Sequence, residues 1–156
     1  MRMSSGASVA YEKPRSGRSI CIDEKSRLTL PARFRDALGG GVVIGKGIDA
    51  NLDVYPRASW TGVVEERLAG LDPFSRETRE LQRFFFSGVV DAVPDKQGRV
   101  LVPPKLAARA GLEREVVVVG VYDHLEIWDR TAWTEHLHAV EGRVDDVAER
   151  LAEKRS

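Results

Sequence analysis

The chain has 156 residues, is 42% hydrophobic, and carries 24 Lys and Arg against 24 Asp and Glu. It can bury one core or two small ones, and no global basic field draws it onto a polyanion, so any nucleic-acid contact must come from local clustering of cations. A single cysteine, Cys21, excludes an intramolecular disulfide and a multi-cysteine zinc site, and the longest aliphatic run, Val116 to Val119, is far too short to span a bilayer.

Residues 1–18, rich in Ser and Gly with Arg2, Lys13, Arg15 and Arg18, read as a flexible basic extension; an arm that follows a DNA groove is the sharper alternative. Met1 to Ala10 lack the apolar stretch of a secretory signal, which points to a cytoplasmic protein. A first unit covers residues 19–71. In it a strand leads into a tight turn at Asp23, and Arg27 to Leu30 alternates like a half-buried strand. Pro31 marks a short helix over Ala32 to Leu38, which Gly39-Gly40-Gly41 stops. Val42 to Gly45 and Leu52 to Tyr55 form a second strand pair. Pro56 then opens a helix with Trp60, Val63, Val64, Leu68 and Leu71 on one side. Asp72-Pro73 caps and starts a linking helix, residues 72–88, that ends near Ser87-Gly88.

Residues 89–156 repeat the plan. Asp23-Glu-Lys-Ser-Arg27-Leu-Thr-Leu-Pro31 returns as Asp95-Lys-Gln-Gly-Arg99-Val-Leu-Val-Pro103, with Asp, Arg and Pro in register. A short helix follows to Ala110 and stops at Gly111, then come strands Val116 to Val121 and Leu125 to Trp128 around a turn at Tyr122-Asp123-His124. Leu52-Asp53-Val54-Tyr55 matches Leu125-Glu126-Ile127-Trp128, and Trp60 matches Trp133. Asp129 caps a final helix in which Trp133, Leu137, Val140, Val144, Val147 and Leu151 recur at spacings of 4, 3, 4, 3 and 4. That stripe is expected to lie on the protein's own barrel rather than to form a coiled coil, because it is short and Gly142 interrupts it.

No enzyme site is expected. Gly40 to Gly47 imitates a phosphate-binding loop, but Gly47 stands where Ser or Thr must hold magnesium, and Val42-Val43-Ile44 reads as strand where the motif needs loop. His136 and His138 point to different helix faces and His124 sits in a turn, so no metal site is expected. Cys21 reads as a buried small hydrophobe. No cofactor, small-molecule substrate or membrane is implied.

Cations do cluster around the first repeated turn. From Glu12 to Arg35, seven (Lys13, Arg15, Arg18, Lys25, Arg27, Arg33, Arg35) face three anions (Glu12, Asp23, Glu24), a local excess of four. A solvated charged face is the default reading, but the turn is repeated with its Asp and Arg kept. Asp23 and Asp95 can accept hydrogen bonds from loop amides and hold the bend, and Gly98, with Ser26 in the matching place, permits positive φ. Arg27 and Arg99 then begin the next strand, with planar forks suited to a phosphate or to a guanine edge.

Two tandem DxxxR turns, with Arg79-Glu-Leu-Gln-Arg83-Phe-Phe-Phe-Ser-Gly88 between them and Leu125-Glu-Ile-Trp128 followed by Trp133, resemble the double SpoVT-AbrB module of the MraZ family. The resemblance implies a mainly β, α+β fold: two modules forming a double-split, swapped-hairpin β-barrel with connecting and C-terminal helices. It implies a ring-like homo-oligomer, in the cytoplasm and on the nucleoid. Its partner would be double-stranded DNA, at direct repeats upstream of the division and cell-wall gene cluster, its own promoter included, where it would act as a repressor-type regulator. DNA-reading positions carry over to Arg27 and Arg99, with Lys25, Arg33 and Lys96 as neighbours and Arg35 in the same patch. The rival expectation is a non-catalytic protein-interaction ring whose DxxxR turns only brace hairpins.

Overall fold

Alternation decides the first exposed strand: Leu28 and Leu30 are fully buried, and Thr29 between them is exposed. The computed structural model describes residues 20–155. The extension over residues 1–18, with Lys13, Arg15 and Arg18, lies outside the described residues.

The first copy contributes β1 (Ile20–Cys21), β2 (Arg27–Thr29), α1 (Ala32–Leu38), β3 (Val42–Lys46), β4 (Asn51–Pro56) and α2 (Arg57–Leu68). A linking helix, α3 (Arg76–Phe86), leads to β5 (Val90–Ala92), β6 (Arg99–Leu101), α4 (Pro104–Arg109), β7 (Glu115–Val121), β8 (His124–Asp129), α5 (Arg130–Glu141) and α6 (Val144–Lys154). Six strands pair antiparallel in the order β1-β7-β8-β4-β3-β5, while β2 and β6 form a separate two-stranded ribbon. Exchange of the copies reverses this order onto itself. The leading strand of each copy lies on the other copy, β1 on β7 and β5 on β3, so the hairpins are swapped and the two modules close one barrel. The fold is the α+β, double-split barrel implied by the resemblance.

Three-residue strands cannot hold a ribbon by themselves. The ribbon is held because Leu28 and Val100, directly opposed in it, enter the same core as Ile44, Leu52 and Val54 of the first copy and Val116, Leu125 and Ile127 of the second. Phe34 of α1 and Leu106 of α4 close the core at matching places. Each fully buried side chain of this size contributes about 1.5–3 kcal/mol. Backbone bonds lock the swap: Leu30 N–H donates to Gly98 C=O and Val102 N–H to Ser26 C=O, each at 2.8 Å.

The outer faces carry the aromatics. Tyr55 and Trp60 lie 5.5 Å apart, and their counterparts Trp128 and Trp133 repeat that spacing. The three consecutive phenylalanines of α3 are all half-buried: Phe86 meets Trp60 edge-on at 6.3 Å, Phe85 lies under Arg67, and Phe84 under Lys46 and Arg109.

Three expectations change. The linking helix starts at Arg76, because Asp72 accepts the Phe74 amide in a local turn and Ser75 is the residue that caps, accepting from Thr78 N–H. The C-terminal stripe is not one helix, since Gly142 and Arg143 separate α5 from α6, whose first turn carries Asp145 and Asp146 as a helix N-terminus favours. Cys21 is exposed, because the alternation of β1 turns its neighbours Ile20 and Ile22 toward the core instead. No helix among the described residues is long and apolar enough to cross a membrane.

Candidate nucleic-acid interface

Both repeated turns are built the same way from the same residues. Asp23 Oδ1 accepts the backbone N–H groups of Lys25 and Arg27 at 2.8 and 2.9 Å, while its Oδ2 accepts Arg27 Nε at 2.8 Å. Asp95 does the same with Gln97, Arg99 and Arg99 Nε at 3.0, 2.9 and 2.7 Å. Hydrogen bonds from the Arg27 amide and then the Arg27 side chain hold the Asp23 carboxyl below its ordinary range against the opposing effect of burial, and Arg99 does so for Asp95. The turns need a left-handed residue at the fourth position, and both have one: Gly98 at φ 78° and Ser26 at φ 61°. Serine thus takes the glycine conformation without altering the hydrogen bonds around it.

Each arginine is held to its aspartate through Nε. This orients the fork and leaves both Nη groups of Arg27 without a protein acceptor among the described residues; on Arg99, Nη2 reaches Gln97 Oε1 at 3.4 Å. The side chains remain 30% and 32% exposed.

The register of the ribbon brings the two copies together. Arg27 opposes Leu101, and Thr29 opposes Arg99. Since Leu28 and Val100 face the core, Arg27, Thr29, Arg99 and Leu101 share the outer face. The arginines are diagonal neighbours there, with Cα atoms about 7–8 Å apart. Two turns 72 positions apart in the chain therefore present a single surface. Thr29 and Leu101, the latter 54% exposed, went unmarked as site residues in the sequence, although strand alternation alone puts them on this face.

The surrounding cations divide. Lys25 and Lys96 are exposed within the two turns. Arg33 is exposed on α1 with its guanidinium 4.7 Å from the Phe34 ring centre. Arg35 crosses between copies: its Nε donates to Leu30 C=O at 3.2 Å, and its guanidinium lies so close over Gly98 that a Cβ there would collide with Nε.

The sequence itself matches the family model described as "MraZ protein, putative antitoxin-like" twice, over residues 17–84 and 85–154, which together cover nearly the whole chain. The chain belongs to the MraZ family. Among curated MraZ relatives, each named a transcriptional regulator, that of Heliobacterium modesticaldum is 45% identical over 131 residues, covering 83% of this chain and 90% of its own. That of Moorella thermoacetica is 44% identical over 85% of this chain and 92% of its own, and that of Roseiflexus castenholzii 43% identical over 86% and 93%. The two MraZ matches meet at residues 84 and 85, inside α3, so the repeat that the family model finds is the repeat that the sheet order displays.

One polar cluster lies away from the ribbon, on the outer side of the central strand pair. His124 is the first residue of β8 rather than a turn residue, because the bend closes over Tyr122 and Asp123 alone, with Tyr122 at φ 59°. It faces Asp53 of β4 and Glu126 of β8, stacked beneath Tyr55 at 4.5 Å. Burial pushes the Asp53 carboxyl up to about 6, against the opposing charges of His124 and Arg67. Burial also works against the His124 imidazolium, but the adjoining Glu126, Asp123 and Asp53 carboxylates outweigh it and the net shift is upward. For Glu126 burial is likewise the largest influence, raising it, yet His124 and the Trp128 indole hydrogen bond bring it below its ordinary value.

Proposed function

We propose that this member of a transcriptional-regulator family binds double-stranded DNA through the β2–β6 ribbon, with Arg27 and Arg99 as the reading residues and Lys25, Lys96, Arg33 and Arg35 as supporting cations. The carrying observation is the register that sets both arginines on one outward ribbon face, each fork pre-oriented by an aspartate. A two-stranded ribbon fits the major groove, an Arg fork grips guanine O6 and N7, and the exposed methyl groups of Thr29 and Leu101 suit a thymine methyl. Neutral overall charge fits such a local contact better than a general polyanion grip.

The resemblance to MraZ supports the finer reading: a repressor and autoregulator on direct repeats upstream of the division and cell-wall genes, cytoplasmic and nucleoid-associated, working as a ring-shaped homo-oligomer. Exposed Val144 and Leu151 on α6 give that assembly an apolar face to use, and linked subunits on successive repeats gain by effective concentration what one ribbon lacks.

A second reading, an interaction ring in which DxxxR is only a brace, draws on the same aspartate–arginine pairs. Fluorescence anisotropy on the gene's own upstream region, beside a random duplex of equal length, separates the two. DNA reading predicts preference for the promoter and a steep fall of affinity with salt. Equal affinity for both duplexes at moderate salt would overturn it.

A further inference from the structure

We propose that Asp53, His124 and Glu126 form a binding site for one first-row divalent cation of the zinc type, set at the seam between the two copies. Asp53 stands on β4 of the first copy, directly opposed in register to Glu126 on β8 of the second. His124 Nε2 lies 3.8 Å from Asp53 Oδ1 and 3.8 Å from Glu126 Oε2, and ligand atoms of the three residues fall within 4.8 Å of one another. An ion bound at about 2.0–2.1 Å to each places its ligands roughly 3.4 Å apart in a tetrahedron, so the two histidine–carboxylate separations need to close by about 0.4 Å and the separation of the two carboxylates by up to about 1.4 Å, within reach of side-chain rotation.

The groups behind these three point the same way. His124 Nδ1 lies 2.7 Å from Asp123 Oδ1, the carboxylate–histidine arrangement that leaves Nε2 as the ligand atom. Glu126 Oε1 accepts the Trp128 indole N–H at 2.9 Å and turns Oε2 toward the histidine. Asp53 Oδ1 accepts Asn51 Nδ2 at 3.0 Å and keeps a lone pair for an ion, while its Oδ2 faces Arg67 at 3.8 Å.

Without an ion a proton on Nε2 can face the two carboxylates; a divalent cation would take that proton's place and meet the nitrogen lone pair and both carboxylate oxygens at once. Charge gives the same answer. Asp53, Asp123 and Glu126 carry three negative charges and Arg67 returns one, so a divalent ion that displaces the Nε2 proton and binds neutral His124 neutralises the cluster. An imidazole nitrogen and two carboxylates suit zinc or its neighbours better than magnesium or calcium, which ask for six or more oxygens. The three side chains remain 10%, 12% and 23% exposed, so an ion can enter from solvent. Once bound it would tie the copies together across β4 and β8, apart from the ribbon.

Isothermal titration of the chelator-treated full chain with Zn²⁺, alongside Co²⁺ absorption spectra, tests this. One ion per chain is expected, with a rise in melting temperature. His124→Gln should abolish binding, Asp123→Asn should weaken it about 10- to 100-fold as loss of an outer-shell partner does, and His138→Ala should leave it unchanged. Circular dichroism checks that each variant folds, and if His124→Gln does not, X-ray absorption on the native chain should show one nitrogen and two carboxylate oxygens around zinc. No binding at millimolar Zn²⁺, or undiminished binding in His124→Gln, would overturn the proposal.

Discussion

The two left-handed turn positions differ in what lies above them, and their substitutions should differ with it. At Gly98, φ is 78° and the Arg35 guanidinium closes over the backbone. Gly98→Ala adds the cost of a left-handed non-glycine residue, about 1–2 kcal/mol. It also pushes Arg35 aside, with loss of its hydrogen bond to Leu30 C=O, worth about 0.5–1.5 kcal/mol. Reduced freedom of the unfolded chain returns about 0.4–1 kcal/mol, so the net loss should be about 0.5–3 kcal/mol, centred near 2. At Ser26 a side chain already occupies the conformation, and Ser26→Gly should change stability by less than about 1 kcal/mol, with relief of strain opposed by added unfolded-state entropy. Urea denaturation of Gly98→Ala in the native and in the Arg35→Ala background isolates the collision. The penalty should shrink by about 1 kcal/mol when Arg35 is absent, since the two residues are coupled through one contact. An equal penalty in both backgrounds would refute the role assigned to Arg35.

Because Asp23 and Asp95 are held below their ordinary carboxyl range by the Arg27 and Arg99 amides, their contribution is fully present above the unfolded value, about 3.9, and is lost as pH falls through the lower folded value. Relative to Asp23→Asn/Asp95→Asn, the native chain should therefore lose its urea-midpoint advantage between pH 5 and 2; a constant difference across that range would contradict the turn's electrostatics. Leu28→Ala, beneath the ribbon, should cost about 2–5 kcal/mol of stability, whereas Leu101→Ala on its outer face should stay within about 0.5 kcal/mol in the same melts. Val144→Glu/Leu151→Glu on α6 should lower the mass measured by light scattering while the circular dichroism spectrum is kept; an unchanged mass would remove α6 from the assembly.

The repeat was legible because the turn chemistry is local: Asp, a left-handed residue and Arg recur at fixed offsets, and each turn closes on itself. The swap was implied by resemblance only, since nothing near Ile20 or Val90 states that their partners are Val116 and Ile44. Periodicity carried the C-terminal stripe across Gly142 because Val140, Val144 and Val147 keep helical spacing, yet spacing is blind to the acidic pair that starts a new helix. The meeting of Arg27 with Arg99 and of Asp53 with His124 and Glu126 depends on cross-strand register. A one-residue slip would separate both sets, and neither register is written in any local pattern.

The most direct test of the central claim compares promoter affinity with melting temperature for Arg27→Ala and Arg99→Ala. Both ion pairs stand in solvent, which screens them and leaves them little weight in folding, whereas a lost bidentate base contact costs about 1–3 kcal/mol per engaged subunit. The expected result is near-native melting with affinity down at least about fivefold in each variant, and further in Arg27→Ala, whose turn has Lys25 and Arg33 for neighbours. Early melting with normal promoter affinity in the folded fraction would show the arginines to be braces and not readers.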